Sequence, residues 1–592
     1  MQRRLRASDS APTYVKVRLM GRGLRINEPF FLFALTVGLS ACGRSEHHPH
    51  GAVTTLAGAG GAPAGAGEAG QGGASAGASA APSAECQPDA ALAPARVLLL
   101  SDQQYQNAVF DLFGVKVTLA AAAPEMPENQ SPAALEQATV MTREQVMAYH
   151  LAAGQVAKAI KPCGDAAIDA TCMLQFLRDK MPRAWRRPIS TDEATSVVRL
   201  FEAGAKISAQ VGVDVTVSAL LESGSFLYRT ELGTAGAATA RAVTLTPFEL
   251  ATAIGFAYLD SIPDEELWAK AVDGSLAKPE VLAAQADRLL ELPAVRDNLR
   301  KKVSRYLGLE DLLSTAARAT KDASIFPGYT QTLREGLYAG AQDFLDQLVW
   351  HGRFNDLFSS KRLYVNAEIA DFYGIPGVQG GSLVAVDFDA DQRRAGILSQ
   401  PAWLSANSHR ATGDDISHRG LSVTEAFICL GGSPPPHPTQ DKDTVLGPTS
   451  VQAQWRELNS EPVCATCHGL FDPYGFATEA YDAVGRYRTL DETGAPIDTS
   501  ATVRGAGPDV DGEVRDINDL AAKLSRGRRA SDCGALQLTS LTLDHALERA
   551  RLPCATHEIQ DALASDQGGS FSALFKAIVT SPAFLMRELE AP

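Results

Sequence analysis

The 592-residue chain lacks several features that would each indicate a function class. It has no run of about 18 or more apolar residues, so no membrane-spanning helix is expected. It also lacks a basic excess: the formal net charge is −15, which argues against the electrostatic surface that non-specific nucleic-acid binding requires. No Ser-His-Asp set, phosphate-binding loop or paired-carboxylate pattern stands out. Nucleic acid is therefore not an expected partner, and no familiar hydrolytic chemistry is indicated.

Signals for β-structure are also few. Alternation of apolar and polar residues predicts at most short ribbons, over residues 382–388 and 496–503. Most other segments repeat apolar residues at helical spacing, and Thr246 with Glu249 forms a capping box at one helix start. Two core-facing stripes are Val295, Leu299 and Val303, and Leu333, Leu337, Phe344, Leu345 and Leu348. The chain is too long for one ordinary core, so the sequence predicts a mainly α fold of several consecutive helical domains.

The N-terminus has the order of a secretory signal. A basic stretch over residues 16–25 precedes a short apolar run over 30–39, and small residues lead directly to Cys42. Leu-Ser-Ala-Cys resembles the lipobox of bacterial lipoproteins, which implies a signal peptide over residues 1–42 and a lipid on Cys42. The alternative is a plain signal peptide with a chance cysteine. Either Met1 or Met20 is the start.

Residues 43–90 are predicted to form a tether. They are mostly Gly, Ala and Ser, which have little to bury and behave as a flexible coil. Such a segment lifts the folded part away from a membrane. Gly43 stands where lipoproteins retained in the inner membrane usually have Asp, so the resemblance to lipoproteins implies the outer membrane, on its periplasmic or surface side.

Cys464-Ala465-Thr466-Cys467-His468 is the strongest chemical signal in the chain. Cys-x-x-Cys-His is the attachment motif of c-type haem, in which the thiols bond to the vinyl groups and the histidine is the proximal iron ligand. One helical turn places both sulfurs along a porphyrin edge. A structural zinc site would need a second ligand pair nearby, and a thiol redox motif would need a βαβ context; the sequence offers neither. One haem c per chain is predicted.

Six cysteines remain after Cys42, Cys464 and Cys467 are assigned. An exported chain reaches an oxidising compartment, which permits three disulfides. Short spacing favours two local pairs and leaves a third as the remainder; the pairs are Cys163 with Cys172, Cys533 with Cys554, and Cys86 with Cys429. Any of the six is alternatively an inert buried thiol.

The segment from Cys464 to Arg488 resembles the haem-bearing part of a family of exported, multi-domain bacterial proteins. The family is known mainly as consecutive domains of unknown function, numbered 1587, 1595, 1592, 1588 and 1585, with a cytochrome c-type motif near the C-terminus. Further stretches match the family in order: Gln104–Gly114, Pro182–Pro188, Ile262–Leu267, Tyr364–Ile375, Arg394–Leu398 and His418–Gly420.

The resemblance implies a domain order beyond the tether. The expected segments are an N-terminal helical domain at 91–165, a helical domain with an Arg-rich turn at 166–232, a central helical domain at 243–378, a c-type haem domain at 390–500 and a C-terminal helical domain at 512–590. Family members often have Met three residues after the haem histidine, where this chain has Phe471. Arg486 and Arg488 either pair with the haem propionates or are surface arginines.

No methionine lies between Met181 and Met586, and Met586 matches a packing position in a short internal repeat. A histidine or an empty site is therefore expected on the distal side of the haem. His409 and His418 are the distal candidates in the haem domain, and each is alternatively an ordinary surface or capping histidine.

Three functions remain open. One c-haem on a helical scaffold favours electron transfer with a redox partner protein, in the periplasm or at the cell surface. The large helical part exceeds what a simple carrier needs, which leaves a haem-dependent oxidoreductase as the alternative. The third possibility is a structural or polymer-binding surface lipoprotein in which the haem is secondary.

Overall fold

Helices predominate wherever the chain is described. The structure is a computed structural model that describes residues 92–119, 141–234, 242–388, 394, 396–411, 415–430, 453, 462–491, 493–545, 557–564 and 569–589. Within these ranges each sheet has two strands, which confirms the mainly α prediction. None of the helices in these ranges has the length and apolar content that a membrane span requires. The predictions for Cys42, the tether, Cys86 and Cys554 lie outside the described residues.

The N-terminal helices surround one hydrophobic core. They are α1 (Asp102–Phe113), α2 (Arg143–Ala159), α3 (Ala170–Ala184), α4 (Thr191–Ala205), α5 (Ala209–Leu221) and the short α6 (Gly224–Leu227). Side-chain caps start these helices; Ser101 and Thr142, for example, form capping boxes at α1 and α2. In the core interior the ring of Tyr105 packs against that of Tyr149 in a tilted arrangement and against that of Phe226 edge to face.

The remaining helices share a second, larger core. In chain order they are α7 (Pro247–Ile254), α8 (Glu265–Val272), α9 (Pro279–Leu290), α10 (Pro293–Tyr306), α11 (Ala317–Thr320), α12 (Gln331–His351), α13 (Asp356–Ser359), α14 (Ala367–Tyr373), α15 (Pro401–Ala406), α16 (Ile416–Val423), α17 (Pro462–Phe476), α18 (Ile517–Arg526), α19 (Arg528–Leu543), α20 (His557–Ala564), α21 (Phe571–Thr580) and α22 (Pro582–Leu585). Short π turns over Gly255–Leu259 and Thr424–Ile428 extend α7 and α16.

The described part of the chain contains four antiparallel two-stranded ribbons, two of which pair segments far apart in the sequence. The strands are β1 (Arg96–Leu99) with β2 (Tyr228–Glu231), β3 (Ala242–Thr244) with β8 (Met586–Glu588), β4 (Arg362–Val365) with β5 (Val384–Asp387), and β6 (Ala501–Val503) with β7 (Gly512–Val514). β5 and β6 lie inside the two segments in which ribbons were predicted. All the strands in the described ranges span only three or four residues, so alternation is a weak signal, and the other six were not predicted.

Local sequence signals correctly locate helix starts and buried faces. Thr246 and Glu249 form the predicted capping box, with Pro247 in the first turn of α7. Both predicted apolar stripes are buried, Val295 to Val303 on α10 and Leu333 to Leu348 on α12. Propensity and pattern therefore agree with tertiary packing along these helices.

The central, haem and C-terminal segments contribute to the same core. The Tyr306 hydroxyl on α10 donates to the carbonyl oxygen of Ala426 at 3.0 Å, and the Tyr258 hydroxyl donates to that of Phe575 at 2.9 Å. Phe354 packs against Phe571, with ring centroids 5.8 Å apart. The described residues all belong to one compact unit, residues 80–592. The exact domain limits expected from the sequence stay predictions.

Two disulfides join described cysteines. Cys163 bonds to Cys172, the pair that local spacing favours. Cys533 bonds to Cys429, so the preferred pairing of Cys533 with Cys554 is wrong, and so is that of Cys86 with Cys429. The reason is tertiary: Cys533 on α19 faces the π turn after α16, and its Sγ lies 3.5 Å from the carbonyl oxygen of Glu425. The contact between Cys533 and this π turn cannot be predicted from the spacing of cysteines along the chain.

Glu231 is the centre of a buried ion cluster that joins three strands. Its carboxylate accepts from Nε of Arg96 on β1 at 2.8 Å and from Nε of Arg587 on β8 at 2.7 Å, and Arg229 lies 3.7 Å away. Burial alone would raise the pKa of Glu231, but the three arginines outweigh it and lower the pKa to about 2. Arg229 also pairs with Asp544 at 2.5 Å.

Glu231→Gln should destabilise the fold by about 3–5 kcal/mol at neutral pH, because it leaves buried arginines without their counter-charge. The folded pKa of about 2 lies below the ordinary 4.5, so this contribution is complete above pH 4.5 and is lost as the pH falls towards 2. Denaturant unfolding between pH 7 and 3 should show that the free energy of unfolding falls less steeply with acid in the variant than in the wild type.

The control is Asp387→Asn, which breaks the exposed Arg362–Asp387 pair and should cost about 1 kcal/mol or less. Equal costs for the two variants would contradict this account.

Candidate haem-attachment site

The predicted attachment motif lies on one helix, α17. Cys467 is a free thiol with a half-buried side chain, and the side chain of Cys464 lies outside the described part of the chain. Because 464, 467 and 468 are spaced at i, i+3 and i+4, they lie along one side of the helix. The side chain of His468 is 17% exposed. α17 thus holds the motif in the one-turn arrangement that the sequence predicts.

Asp472 holds the imidazole of His468 from one helical turn away. Its Oδ2 lies 3.0 Å from Nδ1 of His468, and its side chain is completely buried. An ionised carboxylate only accepts hydrogen bonds, so Nδ1 carries the proton and the lone pair is on Nε2. This is the tautomer that a histidine needs to bind a metal through Nε2. The second carboxylate oxygen, Oδ1, is buried without a hydrogen-bond partner.

Two glycines bring α16 and α17 into backbone contact. A Cβ atom at Gly420 would collide with the carbonyl oxygen of Phe471, and one at Gly475 would collide with that of Ile416. Gly475 lies on the same face of α17 as His468 and Asp472, seven residues after the histidine. Only glycine therefore permits the crossing that covers this face of the attachment helix.

Arg419, next to Gly420, fixes α16 to the chain beyond α17. It is fully buried and donates to the carbonyl oxygens of Leu404 at 3.2 Å, Tyr481 at 2.7 Å and Asp482 at 2.5 Å. Burial lowers the pKa of Arg419 to about 10, which still leaves it charged at neutral pH. The guanidinium replaces water for carbonyls that no regular element satisfies.

Residues Asp472 to Phe476 are the last turn of α17. Pro473 lacks an N–H, so it loses one helical hydrogen bond. The close contact of Gly475 with Ile416 nevertheless keeps the turn helical. Phe471, in the place of the family's methionine, lies with its ring centroid 5.0 Å from that of His468.

The two candidate propionate partners already have protein contacts. Nε of Arg486 donates to Asp482 at 2.8 Å, and its guanidinium lies over the rings of Phe326 and Phe372. Nη2 of Arg488 donates to the carbonyl oxygen of Glu479 at 3.2 Å. Arg486 therefore joins the haem segment to the central helices, and a propionate role for either arginine stays a prediction.

The two distal candidates lie together. The rings of His409 and His418 stack with centroids 3.3 Å apart, and both backbone N–H groups donate to buried Asp415, at 2.8 and 3.1 Å. Burial would raise the pKa of Asp415, but His418, the nearby Arg410 and these two donors outweigh it and lower the pKa. Nε2 of His409 lies 3.4 Å from Asp311. A distal role for either histidine stays a prediction.

The described side chains fit a haem better than a protein-ligated metal ion. Nowhere in the described ranges do three or more His, Cys, Asp or Glu side chains form a cluster that would hold a metal. α17 instead offers a half-buried thiol and a histidine oriented by a buried carboxylate, the donor set of c-type attachment. Cys464, Cys467 and His468 would hold the group.

Sequence reasoning did not show how three residues, Asp472, Gly420 and Gly475, shape this site. Asp472 follows His468 at i+4 on a helix, a spacing that indicates a side-chain contact once the helix is assigned. Gly420 and Gly475 carry no comparable signal, because their role appears only when two helices distant in sequence are brought together.

Comparison with known families identifies four domains in consecutive order. The models are the proteins of unknown function 1587 over residues 99–161, 1595 over 172–231, 1592 over 245–375 and 1588 over 394–491. The name of the last, PSCyt3, indicates a cytochrome c-like role for the segment that contains α17. No curated protein and no solved structure matches the chain. The predicted resemblance is confirmed for these four domains, and domain 1585 stays a prediction for residues 512–590.

Gly475→Ala should lower the free energy of unfolding by about 1–3 kcal/mol or more, because the added methyl group meets the backbone of α16. Gly154→Ala is the matched control: it lies inside α2, and an added Cβ there meets no atom within 4 Å. That change should be neutral or stabilise by up to about 1 kcal/mol. Urea unfolding followed by circular dichroism measures both. A neutral Gly475→Ala would show that the helices are not in backbone contact.

Proposed function

The chain belongs to the multi-domain family in which domains of unknown function 1587, 1595, 1592 and 1588 follow one another, and on that premise we propose that it is an exported electron-transfer lipoprotein. It carries one haem c, bonded to Cys464 and Cys467, with His468 as the proximal ligand. Cys42 carries the lipid, and the outer membrane is the proposed location. The partner is a redox protein.

The hydrogen bond between His468 and Asp472 is the observation that carries this proposal. Metal-binding histidines usually donate the N–H of the other ring nitrogen to a carboxylate or a carbonyl group, as Nδ1 of His468 does to Asp472. The function of a simple disulfide or thiol motif does not require such a bond. The bond lies on the helix that presents Cys467, and in the segment that matches the cytochrome-named family.

Different residues of this chain would attach the haem, bind its iron and orient the ligand. When bound, the haem supplies a one-electron ferric–ferrous couple. Cys464 and Cys467 attach it, His468 presents Nε2, and Asp472 keeps the proton on Nδ1. Gly420 and Gly475 allow α16 to pack against α17 in backbone contact, which fixes the helix that carries these side chains.

A haem-dependent oxidoreductase is the second candidate. An apolar cavity in the described part measures about 150 Å³ and is lined by Leu245, Leu250, Leu282 and Leu585, among others. Its lining residues come from 244–282 and 580–585, and none comes from α16 or α17. The cavity therefore does not place an organic substrate at the haem, and this favours electron transfer.

Covalent attachment is the first test. Expressed with a cytochrome c maturation system, the protein should keep one haem per chain through denaturation and acidic organic solvent. The double variant Cys464→Ala/Cys467→Ala should lose all covalent haem. Its control, Cys163→Ala/Cys172→Ala, also removes two cysteines, but they lie in the first core, and it should keep the haem. Release of all haem from the wild type would refute the proposal.

Carbon monoxide separates the two functions in the same preparation. Electron transfer with histidine at the sixth position predicts no carbon monoxide binding to the reduced protein, and no methionine-to-iron charge-transfer band in the oxidised one. Ready binding would instead indicate an open site and favour the oxidoreductase. A methionine band that disappears in Met586→Ala would contradict the proposed ligation.

Cys42→Ser should move the protein from the membrane fraction to the soluble fraction without affecting the folded part. Lipid chains at this position are the only proposed anchor, and two or more are needed for stable attachment. Fractionation followed by immunoblotting measures the distribution, with the unlipidated variant's haem spectrum as the check on folding. A variant that still sediments fully with membranes would rule out the lipid anchor.

A further inference from the structure

Asp472 is an incompletely satisfied buried carboxylate. Its side chain is fully buried, Oδ2 has one partner, Nδ1 of His468, and Oδ1 has none. A buried anion with so little compensation is costly, and such groups persist in folded proteins where they serve a function.

Other buried carboxylates in this protein are compensated far better. Glu231 is surrounded by three arginines, and Asp415 accepts two backbone N–H bonds. Among the residues that the structure describes, no arginine or lysine pairs with Asp472. The missing positive charge is what the core of a ferric haem supplies, since iron(III) with the porphyrin ring dianion, apart from the peripheral propionates, has a net charge of +1.

We propose that Asp472 sets the reduction potential of the haem, acting through Nδ1 of His468. This inference rests on the proposed function and names the residue that tunes it. The carboxylate draws the Nδ1 proton towards itself, so Nε2 becomes a stronger donor to iron. Its negative charge, on a fully buried side chain, also favours the ferric over the ferrous state. Asp472 is thus a positioning residue whose charge keeps the potential low.

The test is Asp472→Asn in the haem-loaded full-length protein. Asparagine keeps the shape and can still accept a hydrogen bond from Nδ1, but it removes the charge. The midpoint potential, measured by spectroelectrochemistry at one fixed pH, should rise. We expect the ferrous-to-ferric ratio at a given potential to increase about tenfold or more, which corresponds to about 59 mV per tenfold change.

Asp519→Asn is the matched control. Like Asp472, Asp519 is a mostly buried carboxylate on a helix, and it has a partner four residues away, in this case Arg515. It lies outside the attachment segment. Its change of charge is the same, so an effect of net charge alone would move both potentials equally. Circular dichroism and the haem content per chain establish that each variant is folded and loaded.

The outcomes distinguish the two proposals. If the wild type binds no haem covalently, the proposed function fails. If all three proteins carry one haem and the Asp472→Asn potential equals that of the wild type or shifts only as Asp519→Asn does, the role of Asp472 is refuted while the haem proposal stands. A purely structural role for Asp472 predicts this second outcome, because asparagine fills the same space.

Discussion

The backbone contact between α16 and α17 is the constraint on which the haem segment depends. Gly420 and Gly475 have no side chains, so two helices from distant parts of the sequence cross with their main chains touching. The crossing closes the face of α17 on which His468 and Asp472 lie. Arg419 then ties α16 to the residues after α17 through the carbonyl groups of Tyr481 and Asp482, and to α15 through that of Leu404. The attachment helix is therefore held on the C-terminal side of its motif by backbone contacts and by the side chain of Arg419.

The same region is fastened to the rest of the second core at separate points. The disulfide between Cys429 and Cys533 joins the π turn after α16 to α19. Arg486 lies over two aromatic rings of the central helices, and Tyr373 donates to the carbonyl oxygen of Val484 at 2.6 Å. Such contacts make the cytochrome-like segment part of a larger core rather than a separate carrier domain. That integration accounts for the large helical scaffold without requiring a substrate pocket in it.

Local features were predictable from the sequence because they depend on neighbouring residues. The motif of Cys464 to His468, the capping box at Thr246 and the apolar stripe of α12 all act within a few turns of one helix. The disulfide partner of Cys533 and the pairing of β3 with β8 depend on contacts between residues far apart in the chain. Pattern and spacing carry no information on such contacts, so the local pair with Cys554 was preferred and was wrong.

The account's central claim is that α17 carries a covalent haem. The most direct test is mass spectrometry of peptides from the wild-type protein. The protein is matured with the cytochrome c machinery and digested under conditions that leave thioether bonds intact. The peptide that contains Cys464, Cys467 and His468 should carry the mass of one haem, and no other peptide should. An unmodified peptide at these residues, in protein that has passed through that machinery, would contradict the account.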